Sequence, residues 1–105
     1  MKYALRDVAS VIRSKNAGPY ELTLDVLIRD KDLYQRMKAA NVIDRSVIAK
    51  LYRIPEKDVL DIVWFENALA VKATVVRPLP SGALGERDVY GAQQHAPLMG
   101  FTFEL

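Results

Sequence analysis

The sequence lacks cysteine and contains a single histidine among its 105 residues. The absence of cysteine excludes disulfide bonds, thiolate metal sites and a cysteine nucleophile. One histidine excludes a metal site built from several histidines, and a carboxylate-bound Mg²⁺ has no motif in its support. The sequence also lacks a glycine-rich phosphate loop with its lysine, a dinucleotide fingerprint and a nucleophile elbow. We therefore expect no metal and no cofactor.

Long apolar runs and clustered charge of one sign are also missing. No apolar run approaches the roughly 20 residues of a membrane-spanning helix, and the first ten residues carry charges where a signal peptide is apolar. We therefore expect a cytoplasmic protein without a membrane partner. The 15 Lys and Arg residues nearly balance the 13 Asp and Glu residues and are scattered along the chain. This distribution does not predict a nucleic-acid partner.

The remaining composition is that of a globular protein, because half of the residues are hydrophobic and 27% are charged. A chain of this length buries roughly 65% of its surface on folding, which is enough for one core. We find no internal repeat, low-complexity tract or linker. The sequence therefore predicts a single domain over residues 1–105.

Hydrophobic periodicity predicts a strand followed by two helices in the first half of the chain. Apolar residues alternate with mostly polar ones from Tyr20 to Arg29, which is typical of a half-buried strand. Asp30 and Asp44 precede short stretches of helical spacing and are candidate N-caps. The segment from Tyr3 to Val11 fits either a strand or a helix, and we favour an extended conformation.

The second half is richer in β-branched and aromatic residues. Val59 to Phe65 and Leu69 to Val76 are two apolar runs separated by three residues, which predicts a hairpin. Two prolines and two glycines between Arg77 and Gly85 predict a loop. Alternation from Phe101 to Leu105 predicts a closing strand, so both termini are expected to join the sheet.

This order of elements predicts an α+β fold in which two short helices cover one face of a mixed or antiparallel sheet. A ferredoxin-like arrangement is the natural small version of such a fold.

Polar residues are concentrated in two segments, of which the first runs from Arg13 to Pro19. Two cations, a hydroxyl and an amide precede a glycine and a proline, which predicts a loop whose N–H groups cradle a carboxylate or phosphate. The candidate binding residues are Arg13, Ser14, Lys15, Asn16, Gly18 and the adjoining Glu21. The alternative is a solvated tight turn. Glu21 and Asp25 share a strand face, which suits paired carboxylates or a solvated sheet face equally.

The second polar segment, from Asp88 to Pro97, contains the only histidine. His95 is a candidate proton shuttle, Asp88 a candidate base or orienting group, and Tyr90 a candidate donor to an oxyanion. Gln93 and Gln94 are candidate substrate-binding residues. The alternative is structural, with Tyr90 packed, the glutamines bonded to backbone at a sheet edge and His95 near a subunit interface.

The stretches RSKNAGPYELTLDVL and DVYGAQQHAPL resemble a family of short bacterial, archaeal and fungal proteins of undefined function. These proteins occur beside, or fused to, proteins of the acyclic terpene utilisation AtuA family. The residues that match are Arg13, Ser14, Asn16, Gly18 and Pro19 in the first motif and Asp88, Tyr90, Gly91, Gln93, Gln94, His95 and Pro97 in the second. LRDVA and RSKNAG are also similar, more distantly, to the C-terminal ferredoxin-fold domain of AtuA-like proteins, although Lys15 and Asn16 replace the glycine and aspartate of its Arg-Ser-Gly-Asp-Lys-Gly loop.

The resemblance implies a small subunit or fused domain of a larger catabolic protein that acts on carboxylates or acyl thioesters. Our preferred hypothesis is that Arg13 and Lys15 bind an anionic substrate beside an AtuA-like partner, with His95 or Asp88 near the reacting centre. The reaction we favour is hydration or dehydration of a hydroxy acid, as in the small subunit of a hydro-lyase. The alternative is a non-catalytic assembly module that forms a homo-oligomer or heteromer. An independent small enzyme or metabolite sensor is the third hypothesis.

Overall fold

A computed structural model describes residues 1–18, 20–76 and 96–105 of the chain. Ten regular elements are present in these residues, together with one-turn 3₁₀ segments at Glu56–Asp58 and Glu66–Ala68. In chain order the elements are β1 (Lys2–Ala4), α1 (Leu5–Val8), β2 (Ala9–Gly18), β3 (Glu21–Ile28), α2 (Lys31–Ala40), α3 (Arg45–Tyr52), β4 (Val59–Phe65), β5 (Ala70–Val76), α4 (Ala96–Met99) and β6 (Thr102–Glu104).

The main sheet has four antiparallel strands in the order β2-β3-β5-β4. Strand β3 is present as predicted and lies inside the sheet, but it is not half-buried. Every side chain from Leu22 to Val26 is buried, because Thr23 and Asp25 on the face away from the helices are also covered. Strands β4 and β5 form the predicted hairpin, whose turn ends at Leu69 with φ of 52°. The predicted loop between Arg77 and Gly85 lies outside the described residues.

Helices α2 and α3 begin at the predicted caps. The carboxylate of Asp30 accepts a hydrogen bond from the Leu33 N–H at 2.9 Å, and Asp44 accepts one from Val47 at 2.9 Å. Each bond satisfies a backbone donor that a helix N-terminus leaves without a partner. The helices end at Asn41 and Arg53, which adopt the left-handed conformation with φ of 52° and 55°.

The core joins the two helices to one face of the main sheet. Tyr34 and Met37 of α2 and Ile48 of α3 are fully buried with the inward side chains of β3. The Tyr34 ring packs edge-on against Trp64 of β4, with ring centroids 5.6 Å apart. Tyr34 therefore belongs to the core. The α+β prediction is confirmed, and the ferredoxin-like arrangement stays a prediction.

The terminal strands correct one prediction, because they do not join the main sheet. Strands β1 and β6 pair antiparallel with each other as a separate two-stranded sheet. The Met1 ammonium donates to the Leu105 carbonyl at 2.7 Å, and Tyr3 stacks on Phe103 at 5.5 Å. The ambiguous segment from Tyr3 to Val11 contains a strand, one turn of helix and the start of β2. A helical turn thus interrupts the expected extended conformation and carries the chain from one sheet to the other.

Candidate functional site

The first polar segment is the second half of strand β2 and not the predicted loop. Residues 13–16 continue the antiparallel pairing with β3, and Gly18 pairs with Glu21 after an irregularity in register. Local turn preferences of Asn16 and Gly18 yield here to pairing with a neighbouring strand. A cradle of turn N–H groups is therefore wrong for residues 13–18, and the side chains must carry any binding.

Strand geometry divides the candidate residues between two faces of the sheet. Arg13 and Lys15 share the face that lies away from the helices, because they alternate with Ser14, which is opposite buried Leu24. Asn16 is opposite Leu22 and lies on the same side as Ser14. The structure thus brings Arg13 and Lys15 together and separates them from Ser14 and Asn16.

Arg13 forms an ion pair with Asp25, the residue directly opposite it on β3. The Nε atom of Arg13 lies 3.2 Å from Oδ2 of Asp25. The Arg13 side chain is 57% exposed, whereas that of Asp25 is 11% exposed. Among the described residues, this is the one ion pair or hydrogen bond of the guanidinium. Asp25 therefore holds the inner edge of the guanidinium and leaves its two terminal nitrogens to other ligands.

Register across the sheet surrounds this pair with further polar groups. Lys72 of β5 is directly opposite Asp25 on the other side, and Thr23 lies between Lys15 and Thr74. Side chains directly opposite each other in an antiparallel pair have Cβ atoms about 5 Å apart on the same face. We call this surface the cationic sheet face, and it consists of Arg13, Lys15, Thr23, Asp25, Lys72 and Thr74. These six residues include three cations and one carboxylate, and a second carboxylate, Asp61 of β4, lies opposite Thr74 on the same face.

Glu21 lies on the same side of β3 but at the end of the strand, opposite Gly18 and Val76. It is four residues from Asp25, which is about 13 Å along a strand. That separation is too long for two carboxylates to share a proton. Asp25 has a cation opposite it on each side instead, so the geometry favours the solvated-face alternative for Glu21.

The second polar segment cannot be placed relative to this face. Asp88, Tyr90, Gln93, Gln94 and His95 lie outside the described residues, and their proposed roles stay predictions. The described part of the chain contains no group of three or more His, Asp or Glu side chains that could hold a metal ion. It also contains no helix that is long and apolar enough to cross a membrane.

Lys72 and Thr74 were missed at the level of sequence. Both lie in the predicted β5 strand, so their alternation was visible, but their position opposite β3 depends on strand order and register. The residue pattern within a single strand does not show which strand it pairs with or in which register. Knowledge that β5 lies beside β3 would have been the signal that identifies them.

Comparison with known proteins identifies one family. Residues 5–102 match the family model described as Domain of unknown function (DUF4387). No curated protein and no solved structure matches the chain. The family description names no activity or partner, so the association with AtuA-like proteins stays a prediction.

Proposed function

The chain belongs to the DUF4387 family, and we propose that it is an accessory domain that binds a carboxylate or acyl thioester metabolite on the cationic sheet face. The observation that carries this proposal is the Arg13–Asp25 pair, in which Nε is bonded to Asp25 and the terminal nitrogens have no partner in the part of the chain that the structure describes. A guanidinium held in this way presents two parallel N–H donors, which match the two oxygens of a carboxylate.

Lys15 adds a second positive charge on the same strand face, and its Cα atom lies about 7 Å along the strand from that of Arg13. A small carboxylate that is bound to Arg13 lies within reach of this long side chain, and the phosphates of an acyl thioester carrier suit the same cation. Thr74 is partly exposed and supplies a hydroxyl group beside these charges, whereas Thr23 is buried. The Thr74 hydroxyl suits the hydroxyl group of a hydroxy acid, because it can donate or accept.

A sheet face buries less of a small ligand than the enclosing pockets that usually bind metabolites. A second protein that covers the face would supply the missing enclosure and exclude water from the charges. We propose that this second protein is AtuA-like, as the resemblance of both motifs implies. The domain would then contribute one wall of a shared site.

The chemistry we propose for the shared site is reversible dehydration of a hydroxy acid. His95 or Asp88 removes the proton on the carbon next to the carboxyl group or thioester. The C–O bond to the hydroxyl group breaks, this group leaves as water after protonation, and a carbon–carbon double bond forms. Arg13 and Lys15 hold the anionic end of the substrate during these steps.

Two measurements test the proposal. The first is calorimetric titration of the chain with 3-hydroxybutanoate, with acetyl-coenzyme A and with uncharged butane-1,3-diol. We expect the two anions to bind and the diol not to bind. Arg13→Ala should weaken anion binding about tenfold, because it removes charge-assisted hydrogen bonds. Arg36→Ala removes the same charge from exposed α2 and serves as the matched control. Equal effects of the two variants would contradict binding at the cationic sheet face.

The second measurement is water elimination from 3-hydroxybutanoyl-coenzyme A by the chain, by an AtuA-like protein and by their mixture. We expect turnover in the mixture alone, and its loss with His95→Ala or Asp88→Asn. Turnover by the isolated chain at the rate of the mixture would rule out the accessory role. Anion binding without turnover in any sample would retain the binding function and remove the proposed reaction.

The edge position of β2 favours assembly as a second candidate function. This ten-residue strand pairs with β3 on one side and with no other described strand on the main-sheet edge. Such an edge can pair with a strand from another chain. Val11→Lys places a charge on the exposed edge without removing a core residue, and light scattering after size exclusion measures the mass. A dimer converted to a monomer supports assembly, whereas an unchanged mass contradicts it.

A further inference from the structure

An open pocket of about 280 Å³ lies at the start of β2, and none of its lining residues belongs to either polar segment. It is lined by Arg6, Ala9, Ser10, Ile12, Arg29 and Met99, and we call it the Arg6–Arg29 pocket. The lining comes from α1, from β2, from the end of β3 and from α4. Three separate stretches of the chain therefore meet around one cavity: residues 6–12, Arg29 just after β3, and Met99.

A β-bulge gives this pocket its form. Register between β2 and β3 shifts between Ala9 and Val11, so Ser10 has no directly opposite residue. The Ser10 hydroxyl donates to the Leu27 carbonyl at 3.3 Å, and the Arg29 N–H donates to the Val8 carbonyl at 3.1 Å. Bulges turn side chains out of the regular strand alternation and are frequent beside functional sites. Here the bulge and its hydrogen bonds hold β2 against the end of β3.

The pocket carries two positive charges that the described carboxylates do not neutralise. Arg6 and Arg29 are exposed, and neither forms an ion pair or side-chain hydrogen bond with any described residue. The carboxylate of Asp30, which follows Arg29 in the chain, is bonded to the Leu33 N–H. Two guanidinium groups at one cavity, without a paired carboxylate among residues 1–18, 20–76 and 96–105, favour an anion there.

The surface of the pocket is more polar than apolar, and its smaller apolar part comes from Ala9, Ile12 and Met99. Ala9 is buried, Ile12 is half-buried and packs against the core, and Met99 is exposed. Methionine is flexible and adapts to aliphatic ligands of varied shape. A pocket that has two arginines and a small apolar patch of Ile12 and Met99 suits a ligand with a carboxylate at one end and a short hydrocarbon chain at the other.

We propose that the Arg6–Arg29 pocket binds short-chain aliphatic carboxylates, with the carboxylate on the two arginines and the chain against Ile12 and Met99. The pocket is separate from the cationic sheet face. Ile12 pairs with Val26 and Arg13 pairs with Asp25, so strand alternation places them on opposite faces of β2. The domain therefore has two anion sites, one on each side of the same strand.

The test is an amide and methyl NMR titration of the full chain with hexanoate. Hexanamide has the same chain without the charge, and inorganic phosphate has the charge without the chain. We expect hexanoate to shift the signals of Ser10, Arg29 and Met99, and to bind at least about tenfold more tightly than either comparison ligand, because each lacks one half of the recognition.

Variants of the arginines locate the binding. Arg6→Ala and Arg29→Gln are each expected to weaken hexanoate binding about tenfold, because each removes a charged donor. Both positions are exposed, so the amide spectrum should retain its dispersion. Arg36→Ala is the control for a general loss of charge. Arg13→Ala should leave the hexanoate-induced shifts of Ser10, Arg29 and Met99 unchanged while it weakens 3-hydroxybutanoate binding at the cationic sheet face.

Three results would overturn the inference. Equal affinity for hexanamide would show apolar binding without charge recognition, and equal affinity for phosphate would show charge attraction without an aliphatic subsite. Shifts centred on Arg13, abolished by Arg13→Ala, would assign hexanoate to the cationic sheet face. Failure of 3-hydroxybutanoate to bind, with hexanoate binding intact, would contradict the proposed function and leave this second site standing.

Discussion

The Nε atom of Arg13 and the Oδ2 atom of Asp25 lie 3.2 Å apart across the β2–β3 pair, with the guanidinium outermost and the carboxylate beneath it. Asp25 also has Lys72 opposite it on β5. One nearly buried carboxylate therefore lies between two cations. From this relationship we expect Asp25 to position Arg13 rather than to act as an acid or base.

The coupling between these two residues is directly measurable. A double-mutant cycle of Arg13→Ala and Asp25→Ala by urea denaturation should give an interaction energy of about 1 kcal/mol, since one partner is half exposed. Asp25→Asn should weaken 3-hydroxybutanoate binding although it removes no atom that touches the ligand. Unchanged affinity in Asp25→Asn would contradict the positioning role.

The caps of α2 and α3 predict two local stability losses. Asp30→Ala and Asp44→Ala each remove an acceptor for a helix N–H and should lower the free energy of unfolding by about 1 kcal/mol. Asp30→Ser and Asp44→Ser retain a capping oxygen and are the matched controls. They should recover most of the loss in urea denaturation, and failure to recover it would show that charge rather than capping matters.

Two tyrosines predict a loss of stability at high pH. Burial, together with the nearby Glu66 carboxylate, raises the pKa of Tyr34 above its ordinary value of 10.0, and burial raises the pKa of Tyr52 strongly. A raised folded-state pKa favours the neutral phenol, so its stabilisation is complete below pH 10 and is lost as the pH rises through the folded value. Urea denaturation from pH 8 to 12 should show this fall, and it should be smaller in Tyr34→Phe and Tyr52→Phe. An identical fall in both variants would assign it to other groups.

The lowered pKa of Glu66 leads us to expect a loss of folding stability at low pH. The Gln35 side-chain amide donates to its carboxylate, and this bond, followed by the charge of Lys38, lowers the pKa of Glu66. The stabilisation is present above the ordinary pKa of 4.5 and is lost as the pH falls through the lowered value. Gln35→Ala should raise the pKa of Glu66, which NMR of the Glu66 carboxyl carbon measures. Lys38→Ala should raise it less, and the reverse order would contradict the dominance of the hydrogen bond.

Local signals were sufficient for much of the fold. The caps at Asp30 and Asp44, strand β3 and the hairpin of β4 and β5 each depend on residues close in sequence, and each is present as predicted. The predicted half-buried pattern of β3 is wrong, because Thr23 and Asp25 are buried as well. The second half of β2 was missed because Asn16 and Gly18, followed in the sequence by Pro19, favour a turn locally. Pairing with β3 decided its conformation, and that pairing depends on tertiary structure.

The candidate site divides in the same way. Arg13 and Lys15 stand two residues apart, so their common face follows once β2 is known to be a strand. Lys72 lies on the same face because β5 is next to β3 in the sheet. Arg6 and Arg29 line the same pocket because α1, β2 and the end of β3 come together there. Such relations between distant residues have no periodicity that a single sequence displays.

The left-handed residue that ends α3 suggests where this domain tolerates redesign. Arg53 has φ of 55°, is exposed, and makes no side-chain bond to a described residue. A non-glycine residue in this conformation costs roughly 1–2 kcal/mol, and Arg53→Gly removes that cost. The greater conformational freedom of glycine in the unfolded chain offsets part of the gain, so we expect a smaller net stabilisation. A higher midpoint of thermal unfolding would verify it. Neither proposed anion site includes Arg53, so this position offers a stabilised background in which weaker binding-site variants remain folded enough to measure.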